Sequence, residues 1–255
     1  MAFQPDPNFI IETHELTKGF AGFTAVSNLN LRVRRGTVHA LIGPNGAGKT
    51  TVFNLLTKFL IPTSGQIYYN GSDITGELPS HVARRGMVRS FQISAVFASM
   101  TALENVRIAL QRFRTDHFAF WRSERRLHSL DTRARELLDQ VGLDAMRDRT
   151  AGELPYGRRR ALELATTLAL EPELLLLDEP MAGMAHEDVN RTAELIRRVA
   201  VNRTVLMVEH NLSVVADLSD RITVLARGEI LAEGTYDVVS RDPAVIEAYV
   251  GTDHD

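Results

Sequence analysis

The 255-residue chain contains no cysteine. Disulfide bridges, thiolate metal sites and cysteine nucleophiles are therefore excluded, and a reducing compartment such as the cytosol is expected. The strongest apolar run, residues 174–177, falls far short of the roughly 20 residues that span a bilayer. The first ten residues also lack the basic and apolar regions of a signal peptide. We expect a cytoplasmic protein whose role at a membrane depends on a partner.

Positive charge is also scarce relative to negative charge. The 29 lysines and arginines are outnumbered by 32 aspartates and glutamates, which gives a net charge of −3. A chain without a basic excess has no bulk field to hold phosphate backbones, so no nucleic-acid partner is predicted. Internal repeats and low-complexity tracts are missing as well. The hydrophobic fraction of 44% is nevertheless ample for a buried core, so we predict one compact chain.

Two kinds of strand pattern predict a layered α/β fold. Apolar residues alternate near the N-terminus, as at Leu29, Leu31 and Val33, which predicts an antiparallel β layer with one solvated face. Nearly continuous apolar residues predict buried strands at positions 38–42, 174–177, 205–208 and 222–225. Helical stretches alternate with these buried strands, a pattern typical of a mostly parallel sheet.

A central segment, residues 93–154, has a different periodicity. Its apolar residues recur at helical spacing, as at Leu103, Val106 and Leu110, and no strand-like run interrupts them. We predict an inserted α-helical subdomain over this segment. The remaining chain forms the predicted catalytic core, residues 1–92 and 155–255.

A phosphate-binding loop is indicated by GPNGAGKT, residues 43–50, which matches G-x-x-x-x-G-K-[ST]. The segment follows a predicted buried strand and opens a helix predicted over residues 49–60, in which Val52, Leu55, Leu56 and Phe59 share one face. This context separates it from an ordinary glycine-rich turn. Backbone N–H groups and the helix N-terminus can then surround phosphate oxygens. Lys49 is expected to reach the β- and γ-phosphates and to act in catalysis, and Thr50 to ligate Mg²⁺. The predicted nucleotide cradle comprises Gly43, Pro44, Asn45, Gly46, Ala47, Gly48, Lys49, Thr50 and Thr51.

A carboxylate on the magnesium side is predicted at Asp178, where a buried run of four leucines ends. Glu179 follows at once. Neighbouring residues on an extended strand point in different directions, so Glu179 can face an attacking water as general base. An Asp-Glu pair is also common in solvated turns, and the nearby phosphate loop is what favours catalysis here.

These motifs, with LPYGR at residues 154–158 and a histidine at position 210 after the third buried strand, resemble the ATP-binding subunits of ABC transporters. The resemblance covers nearly the whole chain. It implies a P-loop NTPase core that hydrolyses ATP with Mg²⁺. In that family ATP lies between two subunits, with the P-loop of one facing the signature segment of the other. The implied assembly is a dimer of this chain with itself or with a paralogous ATP-binding subunit.

The resemblance assigns roles to three further residues. Phe20 in KGFAG falls where the family places an aromatic ring that stacks on adenine, with a place in the core as the alternative. Gln92 in RSFQ matches the Q-loop glutamine, which implies contacts with Mg²⁺ and the γ-phosphate during catalysis. His210 in VEHN matches the switch histidine, whose neutral imidazole can bond the γ-phosphate and hold Glu179 and the attacking water.

The signature segment departs from the commonest family form, Leu-Ser-Gly-Gly-Gln. Pro155 replaces the serine whose hydroxyl would bond the γ-phosphate of the partner's nucleotide. Backbone N–H groups at the following helix start, and positive charge from Arg158, are expected to compensate in part. The contacts implied for this segment are Pro155, Tyr156, Gly157 and Arg158. We expect weakened closure of the dimer, and a plain helix-entry turn is the alternative.

The D-loop departs from the family as well. Ala185 stands where Asp or Asn is usual, and its side chain has no polar group to cross a dimer interface. Either the backbone or neighbours such as His186 link the two sites, or hydrolysis is slow. Both explanations remain open.

The branch of the family is indicated by the signature's Pro-Tyr-Gly, by PMAGM and by the C-terminal residues 242–251. These segments resemble the branched-chain amino acid uptake ATPases. Val245, Ile246 and Tyr249 are predicted to share one face of a short C-terminal helix that packs on the domain. The resemblance implies import of branched-chain amino acids or related small amino acids and amides. The alternatives are an ATPase of a lipid or lipopolysaccharide export complex and a soluble ABC ATPase outside transport.

The implied partners are two integral membrane permease subunits and, indirectly, an extracytoplasmic substrate-binding protein. The chain would then be peripheral on the inner face of the cell membrane. Residues 112–126 mix aromatic and arginine side chains at no clean period, so helix and ordered loop both remain open. Within them, residues 113–121 can be a dock for a membrane subunit or ordinary subdomain core.

Overall fold

The computed structural model describes residues 3–90, 96–111 and 130–250, which fall into two compact units. The first unit contains the chain up to Arg89, Glu173–Met181 and the chain from Ala200 onward. The second contains Ser90–Pro172 and Ala182–Val199. The second unit thus takes in helices on both sides of the predicted boundary at residue 154. The functional division into core and helical subdomain stays a prediction.

The strands of the described residues are β1 (Phe9–Phe20), β2 (Phe23–Leu29), β3 (Arg32–Arg34), β4 (Val38–Ile42), β5 (Ser64–Tyr69), β6 (Ser72–Asp73), β7 (Met87–Ser90), β8 (Leu174–Asp178), β9 (Thr204–Val208), β10 (Arg221–Ala226) and β11 (Glu229–Gly234). The helices are α1 (Lys49–Leu56), α2 (Pro79–Arg84), α3 (Ala102–Leu110), α4 (Asp131–Gln140), α5 (Tyr156–Leu168), α6 (His186–Ala200), α7 (Leu212–Leu218), α8 (Tyr236–Val239) and α9 (Pro243–Val250). Single 3-10 turns lie at Asp144–Met146 and Ala151–Glu153.

The predicted antiparallel layer is present. Its strand order is β2-β1-β5-β6, and β3 also pairs with β1. Each of these pairings is antiparallel. The alternating residues Leu29, Leu31 and Val33 are all buried, because one face of the layer covers the core.

The second sheet has the order β11-β10-β4-β9-β8-β7. The neighbours β10, β4, β9 and β8 run parallel, as the sequence predicts, and β11 is an antiparallel edge. Strands β4, β8 and β9 are buried at every position, which explains their continuous apolar runs. Their carboxyl ends meet at one edge of the sheet, so the segments that follow these three strands are brought together.

Helix α1 connects the two layers and is shorter than predicted. Val52, Leu55 and Leu56 are buried in the core of the first unit. The predicted helix over residues 49–60 is wrong at its end, because Lys58 adopts a left-handed conformation (φ 64°) that cannot continue a helix. Phe59, expected on the buried face, is consequently 55% exposed.

The second unit confirms the helical periodicity of its described residues. Leu103, Val106 and Leu110 are buried on one side of α3. That helix begins with a capping box, in which the Thr101 hydroxyl accepts from the Glu104 N–H and the Glu104 carboxylate accepts from the Thr101 N–H. Residues 112–126, with the candidate dock at 113–121, lie outside the described residues.

The C-terminal helix α9 confirms two of its three predicted core contacts. Val245 is buried and Tyr249 is partly buried, whereas Ile246 is 50% exposed. Positions 245 and 249 are one helical turn apart and share a face, while position 246 is rotated by about 100°. The prediction for Ile246 was therefore wrong. None of the helices in the described ranges is long and apolar enough to cross a membrane.

Candidate functional site

The phosphate loop leaves β4 and enters α1 through two glycines that no other residue can replace. Gly43 has a φ of 149°, and a Cβ atom there would lie 2.1 Å from the Leu225 carbonyl oxygen. Gly48 is the N-cap of α1 with a φ of 105°, and its Cβ would lie 2.5 Å from the Ala25 carbonyl oxygen. Both positions therefore combine left-handed backbone with close approach of a second chain segment.

Backbone hydrogen bonds hold this loop from the side. The Gly228 N–H, in the turn between β10 and β11, donates to the Ala47 carbonyl over 3.0 Å. The Ser27 N–H in β2 donates to the Gly228 carbonyl over 2.9 Å. The loop is thus supported by both sheets, while Asn45 and Gly46 are exposed and open to a ligand.

The ammonium of Lys49 lies inside the loop. Its Nζ donates to the carbonyl oxygens of Gly43 (2.6 Å) and Pro44 (2.9 Å). Burial lowers the pKa of Lys49 below its ordinary value, and the carboxylates of Glu179 and Asp178 oppose that shift. A cation held against the loop's own carbonyls and facing two acids is placed to receive phosphate oxygens.

Asp178 ends β8 with one carboxylate oxygen occupied and one without a partner. The side chain is 1% exposed, and Arg89 Nη2 donates to Oδ2. The buried Oδ1 has no hydrogen-bond partner among the described residues. A buried unpaired oxygen is costly in a protein interior, so it fits a role in accepting from a metal-bound water. The hydroxyl of Thr50, exposed at the start of α1, supplies the type of oxygen donor that Mg²⁺ prefers.

Glu179 has an unusual backbone conformation for a residue with a side chain. Its φ is 47°, in the left-handed region, and its N–H donates to the Val208 carbonyl at the end of β9 over 2.9 Å. Such strain costs on the order of 1 kcal/mol and collects at functional sites. The bond to Val208 fixes Glu179 beside the segment that carries His210.

Sequence reasoning missed Glu209, the residue before the predicted switch histidine. Its side chain is buried, and Oε1 accepts from the N–H groups of His210 (2.9 Å) and Asn211 (3.1 Å). The same oxygen lies 3.6 Å from His210 Nδ1. The imidazole of His210 is itself exposed. An acid at the end of a buried strand is the signal that identified Asp178, and it applies equally to Glu209.

Phe20 lies at the end of β1 with its ring on the surface. It is 47% exposed, so the alternative that it fills the core is wrong. Lys18 Nζ lies 5.2 Å from the centroid of its ring. Phe23, its cross-strand partner, is 61% exposed. The hairpin therefore presents accessible aromatic surface in the unit that carries the phosphate loop.

The C-terminal helix reaches the phosphate loop, which sequence reasoning did not foresee. The Tyr249 phenol hydrogen-bonds the backbone of Gly43, and this bond opposes the rise that burial causes in the pKa of Tyr249. A cavity of about 590 Å³ is lined by the loop residues, the β10–β11 turn and α9, including Ala244 and Glu247. The tail of the chain is therefore part of the loop's surroundings.

The signature segment belongs to the second unit. Pro155 is the N-cap of α5 and provides no side-chain cap. The Tyr156 hydroxyl donates to the Ala182 carbonyl over 3.1 Å. Arg158 Nη1 donates to the Gly142 carbonyl over 3.1 Å, so its guanidinium has a partner within its own unit.

Gly157 faces a carboxylate on the neighbouring helix α6. A Cβ atom at Gly157 would lie 2.8 Å from Asp188 Cγ and 3.0 Å from both carboxylate oxygens. A side chain at position 157 would therefore have to displace the carboxylate of Asp188, whose side chain is 39% exposed.

Three predicted features cannot be placed. Gln92, the side chain of His186 and the candidate dock at 113–121 lie outside the described residues. Ala185 is exposed. Within the described ranges, no group of three or more His, Cys, Asp or Glu side chains is arranged to hold a metal ion. The assignment of magnesium to Thr50, Gln92 and Asp178 stays a prediction.

Comparison with known protein families gives two matches. The ABC transporter family model matches residues 26–182. The model of the branched-chain amino acid ATP-binding cassette transporter matches residues 229–255. The second match covers β11 and α9, the segment that lines the cavity beside the phosphate loop.

Curated relatives and solved structures agree with these matches. The high-affinity branched-chain amino acid transport ATP-binding protein BraF of Pseudomonas aeruginosa is 42% identical over 253 residues, covering 95% of this chain and 98% of the relative. The protein LivG of Escherichia coli, described in the same words, is 40% identical over 252 residues with the same coverage. A crystal structure of an ATP-binding cassette of an ABC transporter in its ADP conformation has a TM-score of 0.82 at 29% identity, covering 95% of this chain and 99% of that one.

Proposed function

Because this chain belongs to the ATP-binding-cassette family of ABC transporters and to its group of branched-chain amino acid transport ATP-binding proteins, we propose that it is the ATP-hydrolysing motor subunit of an importer for branched-chain amino acids. The relatives' names supply the cargo class. The observation that carries the activity is a phosphate loop in the same unit as two buried acids, Asp178 and Glu209, each of which has one carboxylate oxygen without a hydrogen-bond partner among the described residues.

Nucleotide binding starts at the exposed face of the loop. Phe20 stacks on adenine, backbone N–H groups of residues 45–51 surround the phosphates, and Lys49 leaves its carbonyl partners to bond the β- and γ-phosphates. Thr50 and Asp178 would hold magnesium, which neutralises phosphate charge when bound. Gln92 is assigned to the same magnesium and γ-phosphate.

Hydrolysis is proposed to use Glu179 as the general base. Glu179 takes a proton from water, the water oxygen bonds the γ-phosphorus, and the bond from that phosphorus to the oxygen of ADP breaks. His210 bonds the γ-phosphate and positions both the water and Glu179. Its position is set by Glu209, whose Oε1 accepts from the His210 N–H and lies near the ring.

The signature segment is proposed to complete the site of a second ATP-binding subunit. Backbone N–H groups at the start of α5 would face the partner's γ-phosphate, since Pro155 has no hydroxyl to do so. We expect the dimer to close more weakly than one with the common signature. A dimer is also the unit that two membrane permease subunits would require on the inner face of the cell membrane.

Affinity purification from the native host tests this function. The tagged protein is extracted from membranes in mild detergent, and its partners are identified by mass spectrometry. Recovery of two polytopic membrane subunits, with an extracytoplasmic amino acid-binding protein, is the expected result. Recovery of soluble partners alone would contradict a role in transport.

A further inference from the structure

Arg89 joins two parts of the nucleotide site in the first unit, the magnesium-side acid Asp178 and helix α1. It lies in β7, three residues before Gln92 in the sequence. Its side chain is only 11% exposed, although arginine is rarely buried without a specific partner.

One half of the guanidinium contacts the magnesium-side acid. Nη2 of Arg89 donates to Oδ2 of Asp178, whose side chain is 1% exposed. The other half contacts the helix that follows the phosphate loop. Nη1 donates to Oδ1 of Asn54 over 2.7 Å, and the guanidinium carbon lies 5.7 Å from the centroid of the Phe53 ring. The arginine is thus anchored on both sides.

The pairing leaves one oxygen of Asp178 unused. Oδ1 is buried and has no hydrogen-bond partner among the described residues. A bidentate contact from arginine would occupy both oxygens of a carboxylate, whereas this single contact fixes the carboxylate plane and keeps one oxygen available. The arrangement is that of an outer partner that orients a metal-side acid.

We propose that Arg89 is a positioning residue for the magnesium site. By holding Oδ2 of Asp178 and resting on Asn54, Arg89 directs Oδ1 toward the water shell of the metal bound with ATP. This role rests on the proposed Mg-ATP chemistry and is independent of the transported cargo.

The test measures how strongly magnesium and nucleotide binding are coupled. The Kd of a fluorescent, non-hydrolysable ATP analogue is measured with Mg²⁺ and with EDTA. The Kd in EDTA divided by the Kd with Mg²⁺ gives a ratio that is compared between variants. In Arg89→Met this ratio is expected to fall about tenfold, because loss of an outer partner typically weakens metal binding by about that factor or more. Its Kd in EDTA should stay close to the wild-type value.

Two variants separate this role from a purely structural one. Arg89→Lys keeps one cationic donor and should recover part of the ratio. Arg85→Met is a matched control, since Arg85 also forms an ion pair, 2.5 Å from Glu77, and packs on the ring of Tyr69, but its acidic partner is Glu77 and not Asp178. Arg85→Met should keep the wild-type ratio.

Removing Arg89 leaves the buried Asp178 without its ion-pair partner, which can prevent folding. A second variant therefore tests the same proposal. Asn54→Ala removes the 2.7 Å anchor of Arg89 and leaves the charge pair intact. We expect a fall of a few-fold in the ratio. A wild-type ratio in folded Arg89→Met, or in Asn54→Ala where Arg89→Met does not fold, would overturn the proposal. Wild-type protein that binds no nucleotide even in EDTA would instead refute the proposed function.

Discussion

The Lys49 ammonium donates to the carbonyl oxygen of Gly43 over 2.6 Å, so the phosphate loop's only lysine is bound by the loop's first residue. A second bond to Pro44 completes this arrangement. Nucleotide phosphates must replace two carbonyl oxygens, which are neutral acceptors. Phosphate oxygens carry negative charge, so the same ammonium gains attraction between opposite charges, and the exchange favours the nucleotide.

Replacing Lys49 by alanine should therefore abolish tight nucleotide binding. Loss of two charge-assisted bonds costs about 3 kcal/mol, which raises the Kd of ATP by about a hundredfold. Isothermal titration calorimetry measures the Kd, and a thermal melt shows that the variant is folded. An unchanged Kd would refute the P-loop assignment.

Phe20 and Phe23 offer a matched pair for testing adenine stacking. Both rings are exposed on one hairpin, but only Phe20 matches the family's adenine-contacting position. Because stacking of a base on an aromatic ring contributes about 1–3 kcal/mol, Phe20→Ala should raise the Kd of ATP about tenfold, and Phe20→Trp should restore it. Phe23→Ala should bind like the wild type. Equal losses in the two alanine variants would show that hairpin stability, and not stacking, is responsible.

Tyr249→Phe should reveal how the C-terminal helix affects the phosphate loop. The substitution keeps the ring and removes the hydroxyl that bonds the Gly43 backbone. One hydrogen bond contributes about 1 kcal/mol, so we expect the KM for ATP to rise about fivefold with little change in kcat. Ile246→Ala alters an exposed position of the same helix and should change neither constant. A normal KM in Tyr249→Phe would show that the contact does not influence nucleotide binding.

His39 predicts how stability responds to acid. Burial, with help from the Arg221 charge, lowers the pKa of His39 from 6.5 to about 4. The Thr223 hydroxyl donates to Glu233, so His39 Nε2 must donate to Thr223 over 2.8 Å, and Nδ1 has no partner among the described residues. A second proton on the ring would therefore be buried without an acceptor.

Because the pKa of His39 is lowered in the folded protein, acid reduces the free energy of unfolding. Between pH 6.5 and pH 4 the unfolded chain binds a proton that the folded chain refuses, so stability present above pH 6.5 is lost as the pH falls. The loss in the free energy of unfolding is about 3 kcal/mol. His39→Gln keeps a donor for Thr223 and should flatten this part of the profile in urea titrations. The same slope in both proteins would refute the assignment.

The strands could be predicted because the pattern of apolar residues along a strand depends on whether one or both of its faces are buried. Continuous apolar runs such as 174–177 need burial on both faces, and the alternation at Leu29, Leu31 and Val33 needs one wet face. The end of α1 was not predictable, since the left-handed turn at Lys58 is set by tertiary packing and not by a glycine. Ile246 was misplaced because a short apolar helix offers more apolar residues than it buries.

The residues of the site likewise divide into those that the sequence predicts and those that it does not. The loop motif and the strand-end acids follow from residue type and context, so Lys49, Asp178 and Glu179 could be chosen from the sequence. Arg89 could not, because a charged residue in a short strand is typical of a solvent-facing position. The contact between Tyr249 and Gly43 joins residues about two hundred positions apart, a separation over which periodicity carries no information.

The most direct test of the proposed function is uptake of labelled leucine by cells of the native host that lack this gene. The chain is returned either unchanged or as Glu179→Gln, which should still bind ATP but have almost no turnover, because the general base is lost. We expect the unchanged chain to restore uptake and Glu179→Gln, present at the membrane in equal amount, to leave it absent. Uptake that persists without the gene, or that Glu179→Gln restores fully, would contradict an ATP-hydrolysing motor for branched-chain amino acid import.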